Sequence, residues 1–276
     1  MQSLDGMERH PYFERQVGGN CRIHAVNMAL QRKALDVSQL HSIGRLFSEL
    51  HDLPDSVPFD YTASDGLTLP AFCIERVDDS SHCLGLNFPS ANVVYGFRSA
   101  SHLLSSAPGL ESVVRGALIS NTTHVWACIP GWHLDSMSSP GNIGRRSMGS
   151  LFRDHHVALV LDRKSCWKPL RTLVSRALQA QKAMAGKGSW EELLTSRFYE
   201  AEDPQKPKLH VRSMLGHLFT LLAVALRADC RCGSLEVKVA AKKAVADLKS
   251  KYAVMVLDRA KFVATVAPLL RAYASL

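Results

Sequence analysis

Strand-like sequence is confined to the middle of the chain, and this limits the possible folds more than any other feature. Residues 124–129 and 132–136 predict two strands joined by a Pro-Gly turn, which is a hairpin pattern. Residues 156–161 are almost entirely apolar, as in a strand that is buried on both faces. After Cys166 the strand pattern does not return, and helical spacing replaces it. We therefore expect an α+β domain followed by an all-helical C-terminal region.

The charge divides along the same line. The chain has 33 basic and 25 acidic residues, a net charge of +8. Residues 1–163 carry 13 basic and 16 acidic residues, a balance of −3, which leaves 20 basic and 9 acidic residues, a balance of +11, for residues 164–276. Such asymmetry indicates two units. We place the α+β domain at about residues 8–163 and a basic helical extension at residues 164–276.

Apolar residues at helical spacing predict helices in both parts. In the first part they predict a helix over residues 20–35, a second helix with Ser38 as its N-cap, and another over residues 110–120. Residues 52–106 fit no element. In the second part the spacing predicts helices at about 168–185, 189–201, 208–228 and 234–272. Pro268 is expected to kink or end the last one.

The cysteines and the first residues favour a reducing compartment. The seven cysteines are odd in number and widely spaced, unlike a disulfide framework, and residues 1–13 lack the apolar core of a secretory signal. We therefore expect free thiols and a cytoplasmic or nuclear location. The longest apolar run, residues 218–226, is too short to cross a bilayer, so we expect no membrane span.

A cysteine at the start of a predicted helix is the first candidate for chemistry. Cys21 directly follows the bend formed by Gly18, Gly19 and Asn20. Backbone N–H groups and the helix dipole at such a position stabilise a thiolate, which is the nucleophilic form. The glycines let a substrate approach the backbone closely. Gln16 could donate from its amide to an oxyanion, an interaction that lowers a barrier by roughly 3–4 kcal/mol.

A cysteine nucleophile needs a base and a group that orients the base, and the predicted hairpin offers both. His124 begins one strand and Asp135 lies in the next, so a tight turn can bring the two side chains to one face. The imidazole can then take the thiol proton while the carboxylate fixes its tautomer. Such a triad needs no metal and no cofactor.

The nucleophile region carries a longer motif, Gln16-x-Gly18-x-x-Cys21-x-x-His24-x-x-Asn27, preceded by Glu14-Arg15 and followed by Leu30-Gln31. This motif resembles the start of the Josephin family of deubiquitinating cysteine peptidases. Residues 38–43 are similar to the next helix of that family. Residues 117–126 are similar to its strand with the catalytic histidine, and residues 132–136 to its strand with the third triad member. The resemblance covers about residues 8–163.

The resemblance implies a papain-like fold and hydrolysis of isopeptide or peptide bonds at the C-terminus of ubiquitin, through an acyl-enzyme. Ubiquitin or ubiquitinated proteins would be the partners. The implied catalytic roles are nucleophile for Cys21, general base for His124, orienting group for Asp135 and oxyanion donor for Gln16. We expect the substrate to contact Gly18, Gly19, Asn20 and Trp126. The helical arm that faces ubiquitin in that family would fall within residues 52–106.

Other histidines allow competing interpretations of the site. His155 and His156 open a strand that ends near Asp162, and they could supply another base and its orienting group. We prefer the interpretation in which residues 156–161 are the central strand of the sheet. His24 lies one turn beyond Cys21 on the same helix face. It could tune the thiolate, but a structural hydrogen bond is the simpler prediction.

The basic C-terminal region has three interpretations. Its lysines can form the solvated face of a long helix, bind nucleic acid or acidic lipid, or face an acidic protein partner. Nucleic acid is disfavoured because neither aromatic interleaving nor a nucleic-acid motif accompanies the charges. Cys230-x-Cys232 suggests zinc, but its spacing is tighter than in zinc motifs, so we expect no metal. The lysines are Lys238, Lys242, Lys243, Lys249 and Lys251.

Two functions other than deubiquitination stay open from the residues alone. The same triad could serve a papain-like protease or an acyl transferase whose substrate is not ubiquitin. Alternatively, the α+β domain could be an inactive scaffold, and the helical region could bind an acidic partner.

Overall fold

The computed structural model describes residues 10–50, 67–87, 107–138, 156–202 and 259–275, apart from 122 and 187, and scattered helical positions between 218 and 243. These residues fall into two compact units. The first holds the described residues up to 87 and those at 113–163, and the second holds residues 107–112 and those from 164 onward. Helices and an antiparallel sheet occur together, which confirms the α+β class.

The sheet lies in the first unit, and its described strands have the order β1-β5-β2-β3-β4. The antiparallel pairing of β3 with β4 confirms the predicted hairpin. β5 lies between β1 and β2, so it is an interior strand as predicted, although the central position belongs to β2. The strands are β1 Ser81–Asn87, β2 Val114–Ser120, β3 Val125–Ile129, β4 Trp132–Leu134 and β5 His156–Asp162.

Two helices pack against this sheet. The helices that precede β2 are α1 Cys21–Ala29, α2 Val37–Leu50, α3 Thr68–Val77 and the short α4 Leu110–Val113. α1 packs against β3 and β2, and α3 packs against β1. Ile23, Val26 and Met28 of α1 are buried in one core with Leu118 and Ala127 of the sheet. The N-terminus of α1 is therefore fixed relative to the hairpin that carries His124.

The first predicted helix is shorter than expected, ending at Ala29 rather than near residue 35. Gln31 adopts a left-handed conformation (φ 55°), and its N–H donates to the Met28 carbonyl. The N–H of Arg32 donates to the Asn27 carbonyl, which completes a Schellman motif. The side-chain oxygen of the buried Asn27 then accepts a 2.8 Å hydrogen bond from the N–H of Leu35, in the segment that follows the helix. These bonds end the helix although apolar residues continue beyond it.

The second predicted helix is present, but Ser38 is not its N-cap. The helix begins at Val37, and the Asp36 carboxylate accepts a 2.8 Å hydrogen bond from the N–H of Gln39. In return the Gln39 side chain accepts a 3.0 Å bond from the N–H of Asp36. This reciprocal pair is a capping box and satisfies two N–H groups, whereas a Ser38 hydroxyl satisfies one.

Residues 114–120 form β2, so the helix predicted over residues 110–120 is wrong beyond Val113. The segment pairs on both sides, with β3 and with β5, and is buried except at Arg115. An apolar run buried on both faces has no period of two, so its pattern cannot separate a strand from a helix. Gly116 confirms close packing, since a Cβ there would lie 2.9 Å from the Cys128 carbonyl oxygen.

Part of the unassigned stretch of residues 52–106 is now described. Residues 68–77 form α3, and residues 81–87 form β1, which pairs with β5 at the edge of the sheet. Asp78 and Ser81 join these elements, with the Ser81 hydroxyl donating to the Asp78 carboxylate over 2.6 Å. The remaining residues of the stretch lie outside the described part, apart from residue 67 and the connecting residues 78–80.

The second unit consists of helices in its described residues. They are α5 Trp167–Met184, α6 Trp190–Glu202 and α7 Arg259–Ala274, and α7 packs against both others. The first two confirm the helices predicted at about 168–185 and 189–201. The described positions between 218 and 243 are also helical. The buried Asp229 carboxylate pairs with Arg171 at 3.2 Å and accepts a 2.5 Å hydrogen bond from Tyr273.

Pro268 does not end the last helix, which continues to Ala274. Buried residues on both sides of the proline, including Val266 and Leu270, keep the helix packed through it. Outside the described residues lie Cys230, Cys232 and four of the five lysines named in the sequence analysis. The fifth, Lys243, is exposed. Across the described part of the chain, no helix is both long enough and apolar enough to cross a membrane.

Candidate active site

Cys21 is the first residue of α1, and its thiol is partly buried and free of any disulfide. Asn20 is the N-cap residue, but its side chain makes no cap hydrogen bond. The backbone N–H of Cys21 makes no hydrogen bond to any described residue, as expected for the first turn of a helix. Gly18 has a φ of 67°, which favours glycine, and it lies exposed with Gly19 and Asn20. Their contact with substrate stays a prediction.

His124 and Asp135 lie together as the hairpin interpretation requires. The Nε2 atom of His124 lies 2.8 Å from the Asp135 Oδ1 atom, and the side chains are 15% and 25% exposed. The turn before β3 is fixed by the Asn121 side chain, which accepts a 3.0 Å hydrogen bond from the N–H of His124. Because Nε2 is occupied, Nδ1 is the nitrogen left to exchange a proton with a thiol.

Trp126 supports the imidazole from within the sheet. Its ring stacks on His124, with a centroid distance of 5.9 Å and an angle of 23° between the planes, and meets the His133 ring edge-on at 6.0 Å. The residue is only 8% exposed. In this arrangement the indole restricts rotation of His124, while its predicted contact with substrate stays untested.

Gln16 is joined to the residue that follows Asp135. Its backbone N–H donates to the Ser136 carbonyl over 2.8 Å, and the Ser136 hydroxyl donates to its side-chain oxygen over 3.1 Å. The Gln16 amide nitrogen donates one hydrogen to the Gly18 carbonyl over 2.8 Å. A primary amide has two N–H donors, so the second stays available among the described residues. The candidate oxyanion donor is thereby held beside the hairpin.

The structure joins two of the four candidate catalytic residues directly, since His124 contacts Asp135, and it holds Gln16 near them through Ser136, the residue after Asp135. Cys21 belongs to the helix packed on β3, the strand that follows His124. No hydrogen bond joins its thiol to the imidazole among the described residues. Catalytic hydrogen bonds are often long in the absence of substrate.

A partly buried polar cluster joins α1 to the segment before Gln16, and the sequence predicts a role for only one of its members, His24. The Glu14 carboxylate lies 2.7 Å from Nδ1 of His24 and accepts two 3.2 Å hydrogen bonds from Asn27 and one from the hydroxyl of Tyr12. The other nitrogen of His24 accepts from the N–H of Val17 at 3.4 Å. This confirms the predicted structural hydrogen bond of His24. His24 and Asn27 lie three residues apart on one helix face, and this spacing is the sequence pattern from which the cluster could have been predicted.

The cluster changes the proton affinity of its members. Burial alone would raise the pKa of the Glu14 carboxyl, but the hydrogen bonds from Tyr12, His24 and Asn27 outweigh it and hold the pKa below its usual value. Burial, with the hydrogen bond and the charge of Glu14, raises the pKa of Tyr12 to about 12. The ionised carboxylate therefore anchors the segment before Gln16 to α1, the helix that begins with Cys21.

Protonation of Glu14 at low pH should weaken the hydrogen bonds of this cluster. A carboxyl whose pKa is lowered on folding contributes stability that is present above the unfolded pKa, near 4.5, and is lost as the pH falls through the folded value. We expect Glu14→Gln to be less stable than wild type at pH 7, with the difference shrinking below about pH 4.5. Urea unfolding across this pH range measures it. The same substitution at the exposed Glu111 serves as control, and a difference that does not change with pH contradicts the assignment.

The competing base at His156 is not supported. His156 and Asp162 are the first and last residues of β5, so about 20 Å of extended strand separates them and they cannot form a pair. The Nδ1 atom of His156 is buried and has no hydrogen-bond partner among the described residues. His155 lies outside the described part of the chain.

Metal ligands and known relatives complete the description of the site. Within the described ranges, no three His, Cys, Asp or Glu side chains are grouped so that they could hold a metal ion. No protein-family model matches the sequence, and no curated protein matches it either. The chemistry of the site is therefore derived from its own side chains.

Proposed function

We propose that the chain is a Josephin-like cysteine peptidase with a papain-like fold, which hydrolyses isopeptide or peptide bonds at the C-terminus of ubiquitin. The observation that carries the proposal is the 2.8 Å contact between His124 and Asp135 beside the Gln16 segment. The position of Cys21 at the start of a helix packed on the same hairpin adds to it. The choice of ubiquitin rests on the resemblance of the motif around Cys21.

Acylation follows from the free nitrogen of His124. With Nε2–H directed at Asp135, Nδ1 takes the thiol proton of Cys21, and the carboxylate stabilises the imidazolium that forms. The thiolate attacks the carbonyl carbon of the last ubiquitin residue, forming a C–S bond. The oxyanion accepts hydrogen bonds from the second amide hydrogen of Gln16 and from the backbone N–H of Cys21.

Collapse of this intermediate breaks the C–N bond. His124 returns its proton to the leaving amine, which is the lysine side chain in an isopeptide, and a thioester remains on Cys21. Water then attacks the thioester, with His124 as general base, and the carboxylate of ubiquitin and the free thiol are released. Each proton passes through the same imidazole, so its orientation by Asp135 matters in both halves of the reaction.

A ubiquitin probe with an electrophile at its C-terminus tests the proposal. We expect it to label wild type and not Cys21→Ala, because only the activated thiol lies in the site. Cys83→Ala is the matched control, because Cys83 is also a partly exposed free cysteine. Burial of the sulfur and the charges of Glu75 and Asp78 raise the pKa of its thiol, which keeps the thiol protonated. That variant should label like wild type. Labelling that persists in Cys21→Ala contradicts the proposal.

Alkylation of Cys21, measured beside the probe reaction, separates the proposal from a peptidase whose substrate is not ubiquitin. If Cys21 reacts with a small alkylating agent faster than an ordinary thiol but not with the ubiquitin probe, the catalytic assignment stands and the ubiquitin assignment falls. An ordinary alkylation rate with no probe labelling favours the inactive scaffold.

A further inference from the structure

A groove with a volume of about 660 Å³ lies on the first unit, away from the candidate catalytic residues. It is formed by the segment after α1, the first half of α2 and the end of α3. Arg32, Lys33 and Arg76 contribute cationic side chains to its lining, and all three are exposed. Cys21 begins α1, whereas Arg32 follows its last turn, so the groove and the thiol lie at opposite ends of that helix.

The groove has a local excess of positive charge. Among the described residues none that lines it is acidic, although residues 1–163 as a whole have 16 acidic against 13 basic residues. The two nearby carboxylates already have partners. Asp36 caps α2, and Asp78 accepts from serine hydroxyls and lies 3.8 Å from Arg32 and 3.7 Å from Arg115. Serine hydrogen bonds and the charge of Arg115 outweigh burial and lower the pKa of Asp78. Its carboxylate therefore offsets part of the charge of Arg32, and the positive excess comes from Lys33 and Arg76, which pair with no described carboxylate.

Two of the cations are held in place before any ligand binds. Arg32 donates to the Val77 carbonyl over 3.2 Å, and the Arg76 guanidinium lies 5.1 Å from the centre of the Phe72 ring. Lys33 makes no ion pair with a described residue. Ser38 and Gln39 lie beside them in the first turn of α2, the positive end of a helix dipole. A preorganised set of cations loses less entropy on binding an anion.

We propose that this groove binds an acidic peptide segment of a protein partner. Its volume falls within the roughly 300–1,000 Å³ typical of ligand pockets, and far exceeds what one phosphate fills. Ile43 and Val77 supply apolar surface between the charges, and Ser38 and Ser42 supply hydroxyl groups for a peptide backbone. The described lining includes no aromatic side chain, so it offers the bases of a nucleic acid no stacking surface.

Fluorescence anisotropy with a labelled peptide of alternating Glu and Leu tests this inference on the full chain carrying Cys21→Ala. We expect Lys33→Gln/Arg76→Gln to weaken binding about tenfold and to flatten its dependence on salt between 50 and 300 mM, because two peptide contacts are lost. The matched control, Arg15→Gln/Arg45→Gln, removes the same charge from exposed positions outside the groove. It should change the affinity less than twofold.

Four results would overturn the inference, three of which concern affinity. These are no binding of the peptide by the parent protein, equal weakening by the two double variants, and tighter binding of an oligonucleotide of equal charge. Full competition by inorganic phosphate at about equal molarity to the peptide would also contradict a peptide site. Because Cys21 is replaced throughout, the outcome does not depend on the proposed peptidase function.

Discussion

Replacing His124 by alanine should reduce kcat/KM for a fluorogenic ubiquitin C-terminal amide by about 10²–10⁴-fold, the usual contribution of a general acid–base group. Among the described residues, His124 is the imidazole that contacts Asp135, through Nε2 at 2.8 Å, and its Nδ1 stays available for the thiol proton. Without it, the Cys21 thiol should also lose its activation. Its alkylation by iodoacetamide at pH 7, followed by mass spectrometry of the Cys21 peptide, should slow to the rate of an ordinary thiol.

Asp135→Asn separates charge from orientation in the same experiment. The amide oxygen can still accept from Nε2–H, so we expect a milder loss than for His124→Ala. Near-complete loss in a folded Asp135→Asn would mean that the carboxylate charge itself is required. Circular dichroism should show both variants folded, because His124 and Asp135 flank the hairpin rather than fill its core. Turnover within threefold of wild type in His124→Ala would show that another group is the base.

The hairpin and most helices were predictable because their signals are local. The Pro-Gly turn between β3 and β4, and the apolar spacing in α2 and α5, lie within short segments. The Asp36-x-x-Gln39 capping box was equally local and could have been read from the sequence in place of Ser38. By contrast, β2 is specified by its pairing with β5, about forty residues later in the chain. No local pattern contains that partner.

The candidate site divides in the same way. Cys21 at a helix start and His124 beside a turn follow from neighbouring residues. The bond between Gln16 and Ser136 joins residues 120 positions apart, so only the folded chain reveals it. The Glu14 cluster is intermediate: the sequence motif includes Glu14, His24 and Asn27, but their common hydrogen bonds depend on how the segment before Gln16 runs along α1.

Gln16→Ala should lower kcat by about 10²–10³-fold and leave KM nearly unchanged, because the donor acts on the oxyanion of the transition state rather than on the bound substrate. The amide is positioned for this by the Ser136 hydroxyl on its oxygen, while one N–H stays unused among the described residues. Initial rates with the fluorogenic ubiquitin substrate over a range of concentrations give both constants.

Two comparisons separate donation to the oxyanion from a structural role for Gln16. Alkylation of Cys21 should keep its wild-type rate in Gln16→Ala, since proton transfer to His124 does not involve the amide. Ser136→Ala removes the bond to the Gln16 oxygen but leaves the donor, so we expect a loss below about tenfold, the usual size of one hydrogen bond. If both variants lose kcat equally, and alkylation slows in both, then Gln16 stabilises the site without donating to the oxyanion. If Gln16→Ala loses far more kcat than Ser136→Ala, and alkylation keeps its wild-type rate in both, the lowering of the barrier is assigned to the free N–H of Gln16.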